Sequence, residues 1–487
     1  MRKWLGLVPV LFVVLLTRAH GIAEESVWYD EAVSVVLLDE STLAGFLDAS
    51  RDVDKLKVPL YFVLEYAWWH GISKSVTGLR WLSVFIALGT AAVLYAFTLR
   101  LWGIFPAVVA ALCFALSKPF LYHGQEIRMY GLMYLLALGS WFALFAATRG
   151  QRRAWHVNAL LNLLLINTQL LAAFSFLAQF VFIVANDPRA WRRYVAWVAA
   201  QGAIVLTILP WIWRFTPYEE AVAWIVVPPP SFLVESFLFV LPGTKFDCID
   251  PLEGPRWWGA LAFGALALSL AACALYRARV DKQERTAALM LAIWCVVPPL
   301  AMFAASYVAV PCYVDRYALY AAFPLFMLIG RGLAISPPTT RAFCAISLLA
   351  LGIFNVLGIE RPMRPVMAEV ADLIRFHAEE GDRIVTRGMG YEYSLSVYYK
   401  EAWKRWVDFS VPLRRSVRDV EAGTRTWFVF NPLDPDWERW MRHLNEGIEK
   451  GRVQTEIDST THGPQPIRVM LLTPTGETWE GARPRAL

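Results

Sequence analysis

Apolar stretches of roughly 15–22 residues recur along the first 360 positions, and they constrain this 487-residue chain more than any other feature. A bilayer's hydrocarbon core, about 30 Å thick, takes about 20 apolar helical residues to cross. Within it only helices and closed barrels satisfy their own backbone hydrogen bonds. The stretches lie at approximately 4–20, 80–99, 104–121, 130–148, 155–169, 171–186, 195–214, 256–276, 286–307, 317–335 and 341–359. The expected fold is a polytopic α-helical membrane protein with about 11 transmembrane helices. Composition agrees: 57% of residues are hydrophobic and 18% charged, against about 45–50% and about 25% in soluble domains. This excludes a disordered chain and argues against a single soluble enzyme. The first stretch has the basic start of a secretory leader (Arg2, Lys3), but Arg18 and His20 occupy the place of a clean cleavage site, so it is read as a retained helix.

Orientation follows from Lys and Arg in short loops. Arg149, Arg152 and Arg153, then Arg189, Arg192 and Arg193, then Arg277, Arg279, Lys282 and Arg285 all fall on the side of Arg2 and Lys3. That side is read as the cytoplasm. Asp30, Glu31, Glu126, Asp315 and many other acids fall on the opposite face. A multi-pass protein of the cytoplasmic (inner) membrane with an extracytoplasmic working surface is expected. The net charge of +5 makes no case for nucleic acid.

The chain changes character near 360. Residues 1–360 read as the transmembrane domain, with a first outer loop at about 21–79, and 361–487 as a soluble C-terminal domain on the extracytoplasmic side. In the latter, 366–379 has apolar residues at helical spacing. Gly381-Asp382 reads as a turn before a strand at Ile384-Val385. Helices at 392–403 and 435–448 and strands at 426–430 and 467–473 complete a small α/β domain. Segment 59–72 is too short to cross a bilayer and suits an interfacial helix that exposes Glu65.

Three clusters on the outer face can carry chemistry. In Trp28-Tyr29-Asp30-Glu31 the adjacent carboxylates can bind a divalent cation, or one can act as a general base; they equally suit a helix N-terminus. In Gln125-Glu126-Ile127-Arg128-Met129-Tyr130 the arginine can hold a phosphate by two parallel hydrogen bonds, or it and the tyrosine can be interfacial anchors. Asp315-Arg316-Tyr317 has the same two readings, and Asp315 could simply neutralise Arg316. Asp52, Asp54 and Lys57 read as a solvated loop, and Arg80 as a snorkelling anchor. His70, His123 and His156 are scattered and offer no His-based metal site.

Taken in order, SVWYDEAVS at 26–34, VPLYF at 58–62, GLRWLS at 78–83, PFLYHGQEIRMYGL at 119–132 and DRYALYAAFPLFMLIGRGL at 315–333 resemble the GT-C membrane glycosyltransferases. Within these they are most similar to the protein-mannosyltransferase and aminoarabinose-transferase superfamily (family 39-like). The chain departs from that pattern in two places. Lys57-Val58-Pro59-Leu60-Tyr61 stands where relatives have His-Pro-Pro-Leu-Tyr, and Thr168-Gln169 where they have Thr-His.

The resemblance implies a GT-C type fold and an enzyme that moves a sugar from a polyprenyl-phosphate donor to a glycan, glycolipid or protein acceptor on the outer face, with inversion. It implies Asp30 as base with Glu31 beside it, and Arg128, Tyr130, Arg316 and Tyr317 on the donor phosphate. Glu126, Arg80, Lys57 and Asp54 are supporting candidates. A divalent cation (Mg, Mn or Zn) on Asp30, Glu31 and Glu126 is an open option, and no nucleotide is expected. A flippase or transporter and a non-catalytic scaffold are the alternatives; the former predicts charges in mid-membrane and internal repeats. Cys248 and Cys312, both in outer loops where disulfides persist, are expected to pair.

Overall fold

The computed structural model describes residues 2–53, 58–189, 191–212, 225–246, 255–357, 366–379, 381–387, 391–399, 420, 424–430, 442, 445, 448–449, 453–461 and 467–474. Asp54, Lys57, Cys248 and most of the helix expected at 435–448 lie outside them. The chain forms two compact units. One comprises Met1–Ile22 and Thr42–Ile359, the other Ala23–Ser41 and Glu360–Leu487. The first outer loop is thus divided between them.

In the first unit each of the eleven apolar stretches contains a helix among the described residues. These helices are α1 (Leu7–Ala19), α5 (Val76–Trp102), α6 (Ile104–Ala115), α8 (Tyr130–Thr148), α9 (Arg153–Ile166), α10 (Ala173–Asn186), α11 (Trp191–Leu206), α13 (Pro255–Val280), α14 (Lys282–Val308), α16 (Ala322–Ile335) and α17 (Pro338–Leu357). Shorter helices join them: α3 (Leu43–Val53), α4 (Pro59–Gly71), α7 (Lys118–His123), α12 (Pro230–Glu235) and α15 (Asp315–Ala318). Among the described residues six segments are long and apolar enough to cross a membrane: Val76–Trp102, Tyr130–Thr148, Tyr194–Trp211, Arg256–Val280, Glu284–Val308 and Asp315–Ile335. The other expected spans form shorter helices. The stretch read as 104–121 breaks after Ala115, because Pro119, in the first turn of α7, has no N–H to donate to the Ala115 carbonyl and its ring would crowd that oxygen.

Two devices hold this bundle. The first is close backbone approach at α16. A Cβ on Gly330 would stand 2.5 Å from the Pro106 carbonyl oxygen of α6, and one on Gly332 would clash with the Leu270 carbonyl of α13. Small residues of this kind let helices approach closely where lipid offers no hydrophobic drive. The second is a buried polar network. Gln179 of α10 accepts from Asn158 and Asn162 of α9, both at 3.0 Å, and donates to Ser140 of α8 at 2.8 Å. Asn162 also donates to Gln201 of α11 at 2.9 Å. Each such group would be costly in hydrocarbon without a partner.

In the second unit α2 (Tyr29–Leu37) packs against α19 (Tyr391–Tyr399). Val27 N donates to the Tyr398 hydroxyl at 2.9 Å, and the Tyr29 and Tyr393 ring centroids are 6.1 Å apart. α18 (Met367–His377) and a four-stranded sheet complete the unit. Its strands are β1 (Arg383–Arg387), β2 (Thr426–Phe430), β3 (Val453–Thr460) and β4 (Arg468–Pro474), in the order β1-β2-β4-β3. β1 is parallel to β2, and the other two pairings are antiparallel. Every residue of β2 is buried, which is why it reads as an unbroken apolar run. β3 is a strand that the sequence reading lacks. It is an edge strand carrying Glu456 and Asp458, and charges on an edge discourage pairing with other chains. Gly381 takes φ +99° at the expected turn. The Asp382 carboxylate next to it accepts from Trp427 Nε1 at 2.8 Å and from Arg425 Nε at 3.0 Å.

Candidate functional site

Buried ionisable side chains gather at one end of the transmembrane unit. They come from α4, the start of α5, the turn between α7 and α8, and α15. The Gln125–Met129 turn is fixed first. Gln125 Nε2 donates to the carbonyls of Arg18 at 2.7 Å and His20 at 2.8 Å. Arg18 in turn donates to the carbonyls of Phe114 at 3.0 Å and Ala115 at 2.6 Å. The Ala115 carbonyl is one that Pro119, lacking an N–H, cannot pair in a continuing helix, and the Phe114 carbonyl also accepts from Ser117 N at 3.4 Å. Ser83 of α5 donates to the Glu126 carbonyl at 2.5 Å.

The Glu126 side chain is 1% exposed. Its Oε2 lies 2.7 Å from His123 Nδ1, and its Oε1 has no hydrogen-bond partner among the described residues. His123 is enclosed by rings, with centroids 5.0 Å from Tyr130, 5.9 Å from Tyr134 and 5.6 Å from Phe246. Arg128 is also buried. Tyr61 of α4 lies within electrostatic reach of Glu65, Glu126 and Arg128; burial, and after it the Glu65 carboxylate, push its hydroxyl well above the usual phenol range. Tyr61 therefore remains a hydrogen-bond donor.

Arg316 forms the other side of the cluster. Its guanidinium lies 5.5 Å from the ring centroids of both Tyr130 and Tyr317, within cation–π range. Its backbone carbonyl accepts from the Tyr134 hydroxyl at 2.9 Å. Asp315 accepts a hydrogen bond from Ser236, which itself accepts from Tyr313 at 2.6 Å. Asp315 thus has a partner besides the neighbouring arginine. α12 and the residues after it are tied here too, since Lys245 donates to Glu235 at 2.8 Å and Lys118 N to the Gly243 carbonyl at 2.9 Å.

The structure brings Glu126, Arg128, Tyr130, Arg316 and Tyr317 into one neighbourhood. Asp30 and Glu31 belong to the second unit, in the first turn of α2, where the helix dipole favours carboxylates. Two expectations are corrected. Glu65 is fully buried rather than exposed on an interfacial helix, because α4 turns that face into the protein. Arg80 is 1% exposed and donates to the Ile22 carbonyl at 3.0 Å, so it is folded inward and does not snorkel. Cys312 is a buried thiol, with its sulfur 3.6 Å from the Met302 carbonyl, and its expected partner Cys248 lies outside the described residues.

His123, Tyr61, Ser83 and Ser236 are the site residues that sequence reasoning missed. The His123–Glu126 spacing, one helical turn, was the available signal for the first. Among the described residues no three His, Cys, Asp or Glu side chains gather as a metal site. Of the expected metal ligands, Glu126 lies beside His123 in the first unit, and Asp30 and Glu31 belong to the second.

No family model and no curated protein matches the sequence. Solved structures do match the fold. ArnT from Cupriavidus metallidurans in the apo state aligns at a TM-score of 0.57 with 12% identity, over 96% of this chain and 97% of that one. ArnT bound to undecaprenyl phosphate aligns at 0.55 with 12% identity, over 95% and 96%. The archaeal oligosaccharyltransferase AglB from Archaeoglobus fulgidus, in complex with an inhibitory peptide and a dolichol-phosphate, aligns at 0.51 with 10% identity, over 94% and 73%. At these identities the likeness is one of fold.

Proposed function

We propose that this multi-pass membrane protein of the GT-C fold is a glycosyltransferase. It moves a sugar from a polyprenyl-phosphate donor to an acceptor on the extracytoplasmic face, with inversion. One observation carries this reading. In a fold shared along almost its whole length with a protein solved bound to undecaprenyl phosphate, Arg316 lies against two tyrosine rings in the same neighbourhood as the buried Arg128.

The leaving group of such a donor is a lipid phosphate, which needs charge stabilisation more than protonation. Arg128 and Arg316 supply that charge, and Tyr130 and Tyr317 donate further hydrogen bonds. The acceptor hydroxyl attacks the anomeric carbon, the bond from that carbon to the phosphate oxygen breaks, and polyprenyl phosphate departs. The hydroxyl proton passes to a carboxylate. Asp30 is the proposed base on the strength of its sequence motif, with Glu31 adjacent. The charged groups collect at helix ends rather than in mid-membrane, which disfavours a transporter. The acceptor is a glycan, glycolipid or protein, and the second unit is proposed to recognise it.

The test is sugar transfer from a panel of polyprenyl-phosphate sugars by purified protein in lipid with a mixed acceptor extract. Wild type and Asp30→Asn are run in parallel, with and without chelator. Consumption of one donor by wild type alone supports the class and the base. Equal consumption by both removes Asp30 from the mechanism, and the chelator arm reports metal dependence. If neither consumes donor, binding of undecaprenyl phosphate to wild type and to Arg128→Ala and Arg316→Ala separates a missing acceptor from a wrong reading.

A further inference from the structure

Far from this cluster, α5, α8 and α9 enclose an open groove of about 610 Å³ whose lining is mostly apolar. Val93, Leu135, Leu136, Phe142 and Leu161 line its depth, and Arg100 and Arg153 stand among its lining residues. Both arginines are exposed, and neither is paired with a carboxylate among the described residues. Arg80 of the site and Arg100 share α5, twenty residues apart, or about 30 Å at 1.5 Å per residue. The groove is therefore separated from the candidate site by about the thickness of a bilayer core.

Its dimensions and charge fit one kind of occupant. From Leu135 to Ala146, both lining residues on α8, the groove runs about 16 Å by the same rise. That is close to one leaflet, half of a core about 30 Å thick. At the Ala146 end the chain turns through Arg149 and Arg152 into Arg153, the first residue of α9. By the Lys/Arg bias this is the cytoplasmic end. Basic pockets between transmembrane helices on that side hold anionic lipid headgroups.

We propose that this groove binds an anionic phospholipid of the cytoplasmic leaflet, its phosphate on Arg100 and Arg153 and an acyl chain along α8. The inference does not rest on the proposed sugar transfer. The two guanidiniums offer hydrogen-bond donors to the phosphate oxygens. The apolar wall then takes the chain that a neutral-headed lipid presents equally well, so headgroup charge is the source of selectivity.

The test is lipid binding by the full-length protein in neutral detergent, read by native mass spectrometry. Phosphatidylglycerol, phosphatidylcholine, undecaprenyl phosphate and the chainless headgroup glycerophosphoglycerol are the probes. Phosphatidylglycerol is expected to be retained in preference to phosphatidylcholine and glycerophosphoglycerol; undecaprenyl phosphate, which has the candidate donor site to occupy, is expected to bind equally to wild type and to the Arg100→Gln/Arg153→Gln variant. In that double variant the affinity for phosphatidylglycerol falls about thirtyfold, each arginine near an anionic surface contributing about 1 kcal/mol. The Arg277→Gln/Arg279→Gln variant removes the same charge from the exposed last turn of α13 and binds as wild type does. The proposal is overturned if both variants lose phosphatidylglycerol binding equally, if neither does, if phosphatidylcholine binds as well as phosphatidylglycerol, or if the Arg100→Gln/Arg153→Gln variant loses undecaprenyl phosphate as it loses phosphatidylglycerol. Equal binding of glycerophosphoglycerol would likewise remove the acyl groove. The wild-type comparison among the probes decides the matter even where a variant fails to fold.

Discussion

The imidazole Nδ1 of His123 lies 2.7 Å from Oε2 of Glu126, three residues on, with both side chains almost wholly buried. Charged-group hydrogen bonds of this kind are worth about 1.5–3 kcal/mol. His123→Ala is expected to leave that oxygen without its partner and to cut donor consumption about 10- to 100-fold. His123→Gln, which keeps a donor, should recover part of the loss. Unchanged turnover in His123→Ala would show that the pair has no part in the reaction.

Arg316 presents a planar cation to the faces of Tyr130 and Tyr317. A lysine keeps the charge and loses both the stacking and the two-pronged geometry of the proposed phosphate contact. Arg316→Lys is expected to weaken undecaprenyl phosphate binding about tenfold and Arg316→Ala more. Equal binding by all three proteins would remove Arg316 from the phosphate site.

Gly332 of α16 faces the Leu270 carbonyl of α13 so closely that a methyl group has no room, whereas a Cβ on Gly202 of α11 meets nothing within 4 Å. Overpacking a tight contact costs about 1–3 kcal/mol, while replacing a helical glycine by alanine gains about 0.5–1 kcal/mol. Thermal unfolding in lipid should therefore rank Gly202→Ala at or above wild type and Gly332→Ala below it.

In the second unit Asp382 accepts from both Trp427 and Arg425. Asp382→Ala strands the buried Trp427 indole N–H, at a cost of about 1–3 kcal/mol, while Arg425 keeps Glu456 at 2.8 Å and the His377 carbonyl at 3.2 Å. Limited proteolysis should then cleave the C-terminal region faster while the transmembrane unit stays protected. An unchanged cleavage pattern would count against a structural role for this carboxylate.

Much of this protein was legible before its tertiary structure. Hydrophobic length and helix period located a helix in each apolar stretch, six segments among the described residues being long and apolar enough to cross a membrane, because in lipid each must satisfy its own backbone. The β2 run and the Gly381-Asp382 turn were equally readable, since burial on both faces and a positive φ leave direct marks on residue choice. Other features depended on which groups meet in space. Glu65 and Arg80 look like interfacial side chains in a one-dimensional reading, and His123 looks like a lone histidine. Their burial is decided by α4, α5 and the turn before α8 coming together around Glu126, residues up to about sixty positions apart in the chain. The edge strand β3 shows no pattern of its own because its order is supplied by β4. Local sequence determined which segments are helices and which residues could bind an anion; only the tertiary structure decided which of those charges are withdrawn from water, and burial is what makes a charge chemically consequential.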